Sequence, residues 1–590
     1  MKKLENIQGR KITSAYGGVG SIIETKDNGS LLIDFYDRWD CYSRMAFIRL
    51  QLGRQAITDE RLLNHLRDHY GLDRLQRLLP IPTPDKVSMY YPQSADLIYT
   101  IKSKYFPSWF YCPECRKMNK LEDWKRLWEG KFSDDGNFSD NYPACAHCST
   151  RRGQRIHRQP LEQIRFCMAS LSGGLEDIPF DRLFNAEPIG NVIDLRNVKG
   201  DTATLTYFTS STSDGLYAVS IKHENGRTFS LAKIQSSYLL YNDAAYKLVL
   251  RNQNHIYYPQ IVRSLYIPWD EKLANEILRM RNANVTDAQI SEIKKVPIET
   301  IQAIIASDGL DFDTQVFLYL TTESNYRNGI NKKDDFYAIR YENLKIPQRI
   351  DRFYAIHRLK ETSVIPCFTR IMPQGVATNW WNIDEDRECD NMKPDSVSTA
   401  KGTSVDYIPA IESYGEGLLF EVSANDIPES ERIIFVHTLS HVIMKELEFQ
   451  CGYPLTSLKE KIYNMGSRWG ILIYTIGGSE GSYGGLVSLL PTDFKATEAK
   501  MIDIINCAIE RAKDCPNDPI CESEGGHCFV CTDIPEISCC DWNHNLDRRV
   551  LLKYQNPPAT NVAIEPIEPQ DLSFTSNSEH DAEPNDIILA

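Results

Sequence analysis

The sequence predicts a mixed α+β, multidomain chain, with a zinc ribbon in the N-terminal half and a C-terminal α/β domain holding a cysteine-cluster zinc site. Three observations carry that prediction. A length of 590 residues corresponds to roughly 3–5 domains at about 100–200 residues each. Helix-period and strand-period stretches follow one another with no visible internal repeat. Two groups of closely spaced cysteines interrupt an otherwise ordinary composition of 42% apolar, 25% charged and 10% aromatic residues.

Composition also excludes some classes. No apolar run reaches the roughly 18–20 residues of a membrane span, so no membrane partner is expected. The start, Met1-Lys-Lys-Leu-Glu-Asn-Ile-Gln8, lacks the apolar stretch of a signal peptide. A cytoplasmic chain with reduced thiols is expected, and clustered cysteines then mean zinc or redox chemistry rather than disulfides. The net charge is −14, and the residues from 555 onward hold seven Asp/Glu and no Lys/Arg. Residues 556–590 therefore read as an acidic disordered tail, either solvating, nucleic-acid-mimicking or partner-docking. The remaining body is only mildly acidic, so any contact with nucleic acid must be a local patch.

Residues 1–105 open on the turn-rich Gly9–Gly20, then strand-like Ser21-Ile-Ile-Glu24 and Leu31–Phe35. A helical stretch follows over Asp59–Leu78, with Leu62, Leu63, Leu66 and Tyr70 on one face. Residues 106–165 form a zinc ribbon-like module, and 166–270 a strand-rich region with alternation at Ala203–Phe208 and Tyr217–Ile221. Residues 271–425 are helical and then mixed. Within them Val285–Ala306 reads as a plain helical hairpin, with DNA reading by a helix-turn-helix as the alternative. Residues 426–555 form the C-terminal zinc-binding domain. It reads as a helix Arg432–Phe449, a short helix Ser457–Met465, a buried strand Gly470–Ile476, a Gly-rich loop, an apolar run Leu486–Leu490, a helix Ala496–Arg511 and a cysteine loop.

The first metal candidate is Cys112-Pro-Glu-Cys115 with Cys145-Ala-His-Cys148. Each CxxC knuckle sets two thiolates on one side of a tight turn, and two knuckles complete a tetrahedral zinc site. The spacer is long, so the insert Trp124–Asn141 is expected to loop out. Four protein thiolates leave no open position, which predicts a structural rather than catalytic metal. Next comes Ser149-Thr-Arg151-Arg152-Gly-Gln-Arg155-Ile-His157-Arg158. Arg151, Arg152, Arg155 and Arg158 form the most basic strip of the chain, either a solvated turn, a strip that contacts nucleic-acid phosphates, or a partner-docking strip.

Six of the 16 cysteines lie between Cys515 and Cys540. Cys515, Cys521, Cys528 and Cys531 are the expected second zinc set, with Cys539 or Cys540 able to replace Cys515. His437-Thr-Leu-Ser-His441 puts two histidines at i and i+4, as in zinc proteases. Thr438 stands where those enzymes have their general-base glutamate, and no third ligand lies nearby, so buried or polar-contact histidines are expected. The loop Gly477–Gly485 could cradle phosphate, but reads as a tight packing turn. No GK[ST] occurs in the chain, so no P-loop is present, and no catalytic residue is assigned.

Taken together, these motifs resemble a known family. The strand Ile471–Ile476, the turn Gly477–Gly485, the helix Met501–Arg511, Cys515–Cys531 and the closing Leu546-Asp547-Arg548 are similar to the zinc-binding domain that ends Mrf-type DNA-repair helicases. The motor is absent, and further blocks resemble the DrmB family of the DISARM anti-phage defence system. They are Gly9–Gly20, Phe106–Cys115, Arg165-Phe-Cys with Leu175–Pro179, Ile256–Pro259 with Tyr266–Pro268, Phe368–Arg370 and Ile408–Gly417. The strongest joins His437–His441, Cys451-Gly-Tyr453, Ser457–Tyr463 and Gly470–Tyr474. Two departures stand out. Ser172-Gly173-Gly174 replaces the family's Gly-His, and no cysteine pair occurs near 205–230, which counts against any third zinc site. The resemblance implies a zinc-containing accessory subunit that pairs with a DrmA-like helicase subunit. Together they would bind DNA and act on incoming phage DNA, while a methyltransferase marks the host's own. The alternatives are a zinc hydrolase or nuclease using His437 and His441, and a zinc-ribbon DNA-binding regulator.

Overall fold

The computed structural model describes residues 9–555 except 15, 26–28, 35, 71, 84–95, 133–137, 140–141, 154, 171–172, 202, 211–214, 243, 254–255, 269–270, 334, 345–348, 372–377, 380–395, 399–403, 467 and 478–484. The acidic segment 556–590 and most of the Gly-rich loop thus lie outside the described residues. The chain is a mixed α+β structure of several sheets and helices.

The largest sheet has ten strands among the described residues. Its centre is an antiparallel pair, Ile350–Thr369 and Ser404–Val422, running from Ile350 opposite Val422 to Ser363 opposite Ile411 with register shifts between Ile350 and Arg352 and between Ile356 and Leu359. Arg468–Ile476 pairs with the second of these, and Leu458–Met465 lies beyond it. Tyr258–Leu265 and Leu75–Pro80 join from far away in sequence, the latter in parallel.

Central strands of this sheet are apolar at successive positions because both faces are covered. Phe353, Leu418, Phe420, Ile471 and Ile473 pack with the helix Glu429–Cys451. The alternate residues Tyr354, Leu419, Leu472 and Tyr474 pack on the other side with Phe317 and Leu320 of the helix Phe312–Thr321. The helix Glu429–Cys451 is buried almost all round from Phe435 to Leu447, because Lys500–Lys513 and Arg548–Lys553 cover its outer side. Gly452 ends it in the left-handed region at φ 72°, where its N–H donates to the Glu448 carbonyl at 2.9 Å.

Several expectations change here. Ser457–Met465 is not a helix: Leu458–Met465 is a strand that forms a hairpin with Arg468–Ile476. The helix expected over Asp59–Leu78 stops at Tyr70, and Leu75–Pro80 becomes a strand. Leu486–Leu489 is a short 3-10 turn. The insert Trp124–Asn141 does not simply loop out, because Leu121–Phe132 is a helix burying Trp124, Trp128 and Phe132. Asp287–Lys294 and Ile298–Ser307 form a helical hairpin that packs on Glu271–Asn282 through Ile277, Ile290, Ile301 and Ile304.

Candidate metal centres

The first centre is built on a short antiparallel hairpin. Trp109–Tyr111 pairs with Lys117–Lys120, so Cys112 and Cys115 occupy the turn between them. Within that turn the Arg116 N–H donates to the Cys112 carbonyl at 2.8 Å. The second knuckle is held alike: the Ser149 N–H donates to the Cys145 carbonyl at 3.0 Å, and the Cys148 N–H points at the Cys145 sulfur at 3.4 Å. The helix Leu121–Phe132 joins the knuckles. Its Trp124 Nε1–H donates to the Phe110 carbonyl at 3.0 Å, and Lys131 Nζ donates to the Ala146 and Ser149 carbonyls at 2.6 and 2.9 Å. The sequence analysis missed Lys131, for which only its position in the last turn of a helix was a signal.

The ligand atoms of Cys112, Cys115, Cys145 and Cys148 all lie within 4.8 Å of one another. Cys115 and Cys145 sulfurs are 3.8 Å apart, which is the edge of a tetrahedron with zinc–sulfur bonds of about 2.3 Å and far beyond a disulfide bond of about 2.0 Å. The donor set fits zinc.

The second centre gathers Cys515, Cys521, Cys528 and Cys531 by the same criterion. Cys515–Cys528, Cys521–Cys531 and Cys528–Cys531 sulfur separations are each 3.6 Å. Gly526, at φ 78°, turns the chain between Cys521 and Cys528, and a Cβ there would fall 2.2 Å from Asp547 Oδ1. The closing Leu546-Asp547-Arg548 braces this loop. Asp547 caps the helix Arg548–Lys553, and the buried Arg548 guanidinium pairs with Asp518, donates to the Lys513 carbonyl at 3.0 Å and lies beside the Cys521 sulfur.

Cys539 stands apart from these four. It lies with His437, His441 and Glu460, whose ligand atoms are also mutually within 4.8 Å. Both histidines are buried, and the partner that the sequence analysis missed is Glu460. His437 Nε2 and His441 Nε2 lie 2.9 and 3.1 Å from its Oε1. Burial alone would raise the Glu460 carboxyl, yet the two imidazoles in their protonated form outweigh it and hold it well below its ordinary range. Burial pushes the Cys539 thiol up, and the Glu460 charge adds to it. A signal for Glu460 was available: Gly466-Ser467 between two apolar runs marks a two-residue hairpin loop. At 0% exposure His437 and His441 give substrate no access, which weighs against the hydrolase reading.

The arginine strip forms its own hairpin, Thr150–Arg152 with Arg155–His157. Arg151, Arg152 and Arg155 are exposed. Arg158 is half-buried, its guanidinium 4.8 Å over the Trp128 ring, so it braces the ribbon.

With this geometry in place, similar proteins can be set beside it. The family described as "Domain of unknown function (DUF8724)" matches residues 9–257. A DISARM protein DrmB from Bacillus paralicheniformis is 29% identical over 250 residues, covering 34% of this chain and 41% of the relative. The resemblance to DrmB is met by a curated protein of that name. The match spans less than half of that relative's length. A crystal structure of the DUF1998 helicase MrfA bound to DNA matches over 38% of this chain and 26% of that one, at 12% identity and a TM-score of 0.21. That score is too low to assign a common fold. No helix among the described residues is long and apolar enough to cross a membrane.

Proposed function

We propose that this chain is a non-catalytic, zinc-binding accessory subunit of a DISARM-type anti-phage defence complex. It pairs with a separate DrmA-like helicase subunit in the cytoplasm and binds DNA. The 29% identity over 250 residues to a DISARM protein DrmB carries the reading. Two further features support it. Both four-cysteine clusters are closed sets with no position for a substrate, which suits a scaffold better than a metalloenzyme. The sequence holds no GK[ST], so ATP hydrolysis is the partner's work. The exposed Arg151, Arg152 and Arg155 supply a phosphate-contacting strip beside the first zinc centre.

The test is reconstitution with the helicase subunit of a DISARM system. The two proteins are expected to co-elute on size exclusion, and the complex to bind DNA more tightly than the helicase alone. A helicase that binds DNA equally well with and without this chain overturns the proposal.

A further inference from the structure

We propose that His437, His441, Glu460 and Cys539 hold a third metal ion, a structural zinc distinct from the two four-cysteine centres. Four donors of zinc-ligating type come from three separate elements. The helix Glu429–Cys451 gives both histidines, the strand Leu458–Met465 gives Glu460, and the loop after the second cysteine centre gives Cys539. All four are buried, at 0%, 0%, 2% and 6% exposure respectively.

Hydrogen bonding separates a metal site from a polar core cluster. His441 Nδ1 lies 3.0 Å from the Thr532 carbonyl oxygen. That oxygen can only accept, so Nδ1 carries the proton and neutral His441 turns the lone pair of Nε2 toward Glu460 Oε1, 3.1 Å away. Two lone pairs facing each other in the core repel unless a cation lies between them or the ring takes a second proton. An Nδ1–H donated to a backbone carbonyl is also how metal-bound histidines are oriented.

The acceptors are crowded in the same sense. Glu460 Oε1 faces both imidazole Nε2 atoms and accepts the Cys540 N–H at 3.1 Å, while Oε2 accepts from Ser440 Oγ–H. Cys539 Sγ lies 3.3 Å from His437 Nε2 and accepts the Asp541 and Asn543 N–H groups at 3.3 and 3.2 Å. Two backbone donors on one sulfur are the contacts a metal-bound thiolate accepts. A divalent ion bound here would be neutralised in full by a Cys539 thiolate and the Glu460 carboxylate. Tetrahedral zinc gives N···O and N···S edges of about 3.3 and 3.5 Å, so the edges His437–Glu460, His441–Glu460 and His437–Cys539, at 2.9, 3.1 and 3.3 Å, are shorter by about 0.2–0.4 Å. Two imidazoles, a thiolate and a carboxylate in a closed set suit zinc and leave no open position.

The site would pin the loop after the second centre to the core, since Thr532 directly follows Cys531 and Glu460 N–H donates to the Ser538 carbonyl at 3.1 Å. The test uses the full chain, supplemented with zinc during expression, desalted, and measured by elemental mass spectrometry and zinc-edge X-ray absorption. About three zincs per chain are expected, with an average first shell of about three sulfurs and one nitrogen or oxygen per ion. Cys539→Ala should lose one equivalent and return the shell to sulfur alone. If that variant does not fold, the wild-type first shell still decides. Two equivalents or fewer, or a wild-type shell of sulfur only, overturns the site.

Discussion

Glu361 shows how much one buried charge can matter in this core. It is 1% exposed, accepts from Lys459 Nζ at 2.9 Å and from Tyr474 Oη–H at 2.7 Å, and sits where three strands of the large sheet meet. Burial pushes its carboxyl up, but Lys459 and Arg263 outweigh burial and bring it down to about 2. A carboxylate with a depressed folded-state value stabilises the protein above its unfolded value, near 4.5, and that contribution disappears as pH falls through the folded value of about 2. The component is on the order of 3 kcal/mol. Unfolding free energy measured against pH should therefore fall between about pH 4.5 and pH 2, beyond any loss from the metal centres. Glu361→Gln should lack that component and be less stable at neutral pH by about 3–5 kcal/mol, because it removes the charge that compensates Lys459. An identical acid limb in wild type and variant would contradict this account.

Among the elements, the first four-cysteine module is a small core in its own right. Phe110, Trp124, Trp128, Phe132 and Leu161 pack around Cys112 and Cys145, so a metal bound by these cysteines and the helix would hold each other. Chelation of the ribbon zinc is expected to lower tryptophan ordering, read by near-UV circular dichroism. Trp128→Ala is expected to cost about 3–5 kcal/mol and to speed zinc release, whereas unchanged zinc retention would show that helix and metal are independent. This module also shows what the sequence made legible. Cysteine spacing announced the first set, because each CxxC knuckle is a local turn; in the second only Cys528 and Cys531 are so spaced, and Cys539 or Cys540 stayed open in place of Cys515. The helix Glu429–Cys451 and the strand Arg468–Ile476 were visible in their apolar content and in the glycines near them. Leu458–Met465 misled because Lys459, Glu460 and Lys461 look like a solvated helix face, while the structure buries Lys459 and Glu460 against Glu361, His437 and His441. Cys539 meets His437 from 102 positions away, and no local pattern reports such a contact. For the same reason the pairing of Ile350–Thr369 with Ser404–Val422 was hidden, since periodicity gives a strand its faces but not its neighbour.

At the scale of the whole molecule, electrostatics limits how DNA could be held. A chain with net charge −14 repels a polyanion overall, so binding depends on a local cationic surface that acts within about one Debye length, roughly 8 Å at physiological salt. The hairpin Thr150–His157 is such a surface: Arg151, Arg152 and Arg155 are exposed on two short strands directly after the Cys145–Cys148 knuckle. Arg158 is the internal control, because its guanidinium lies over Trp128 and serves packing. Each phosphate contact contributes about 0.9 to the slope of log affinity against log salt concentration on duplex DNA. Replacing Arg151, Arg152 and Arg155 together by Ala is therefore expected to weaken DNA binding across unrelated sequences and to flatten that slope by nearly three. Arg158→Ala should instead lower the melting temperature of the ribbon and leave the slope nearly unchanged. Titrations of the full chain with its helicase partner over a range of salt distinguish the two. A triple variant with the wild-type slope would move the phosphate contacts away from this hairpin, and with them the part of the proposed function that rests on it.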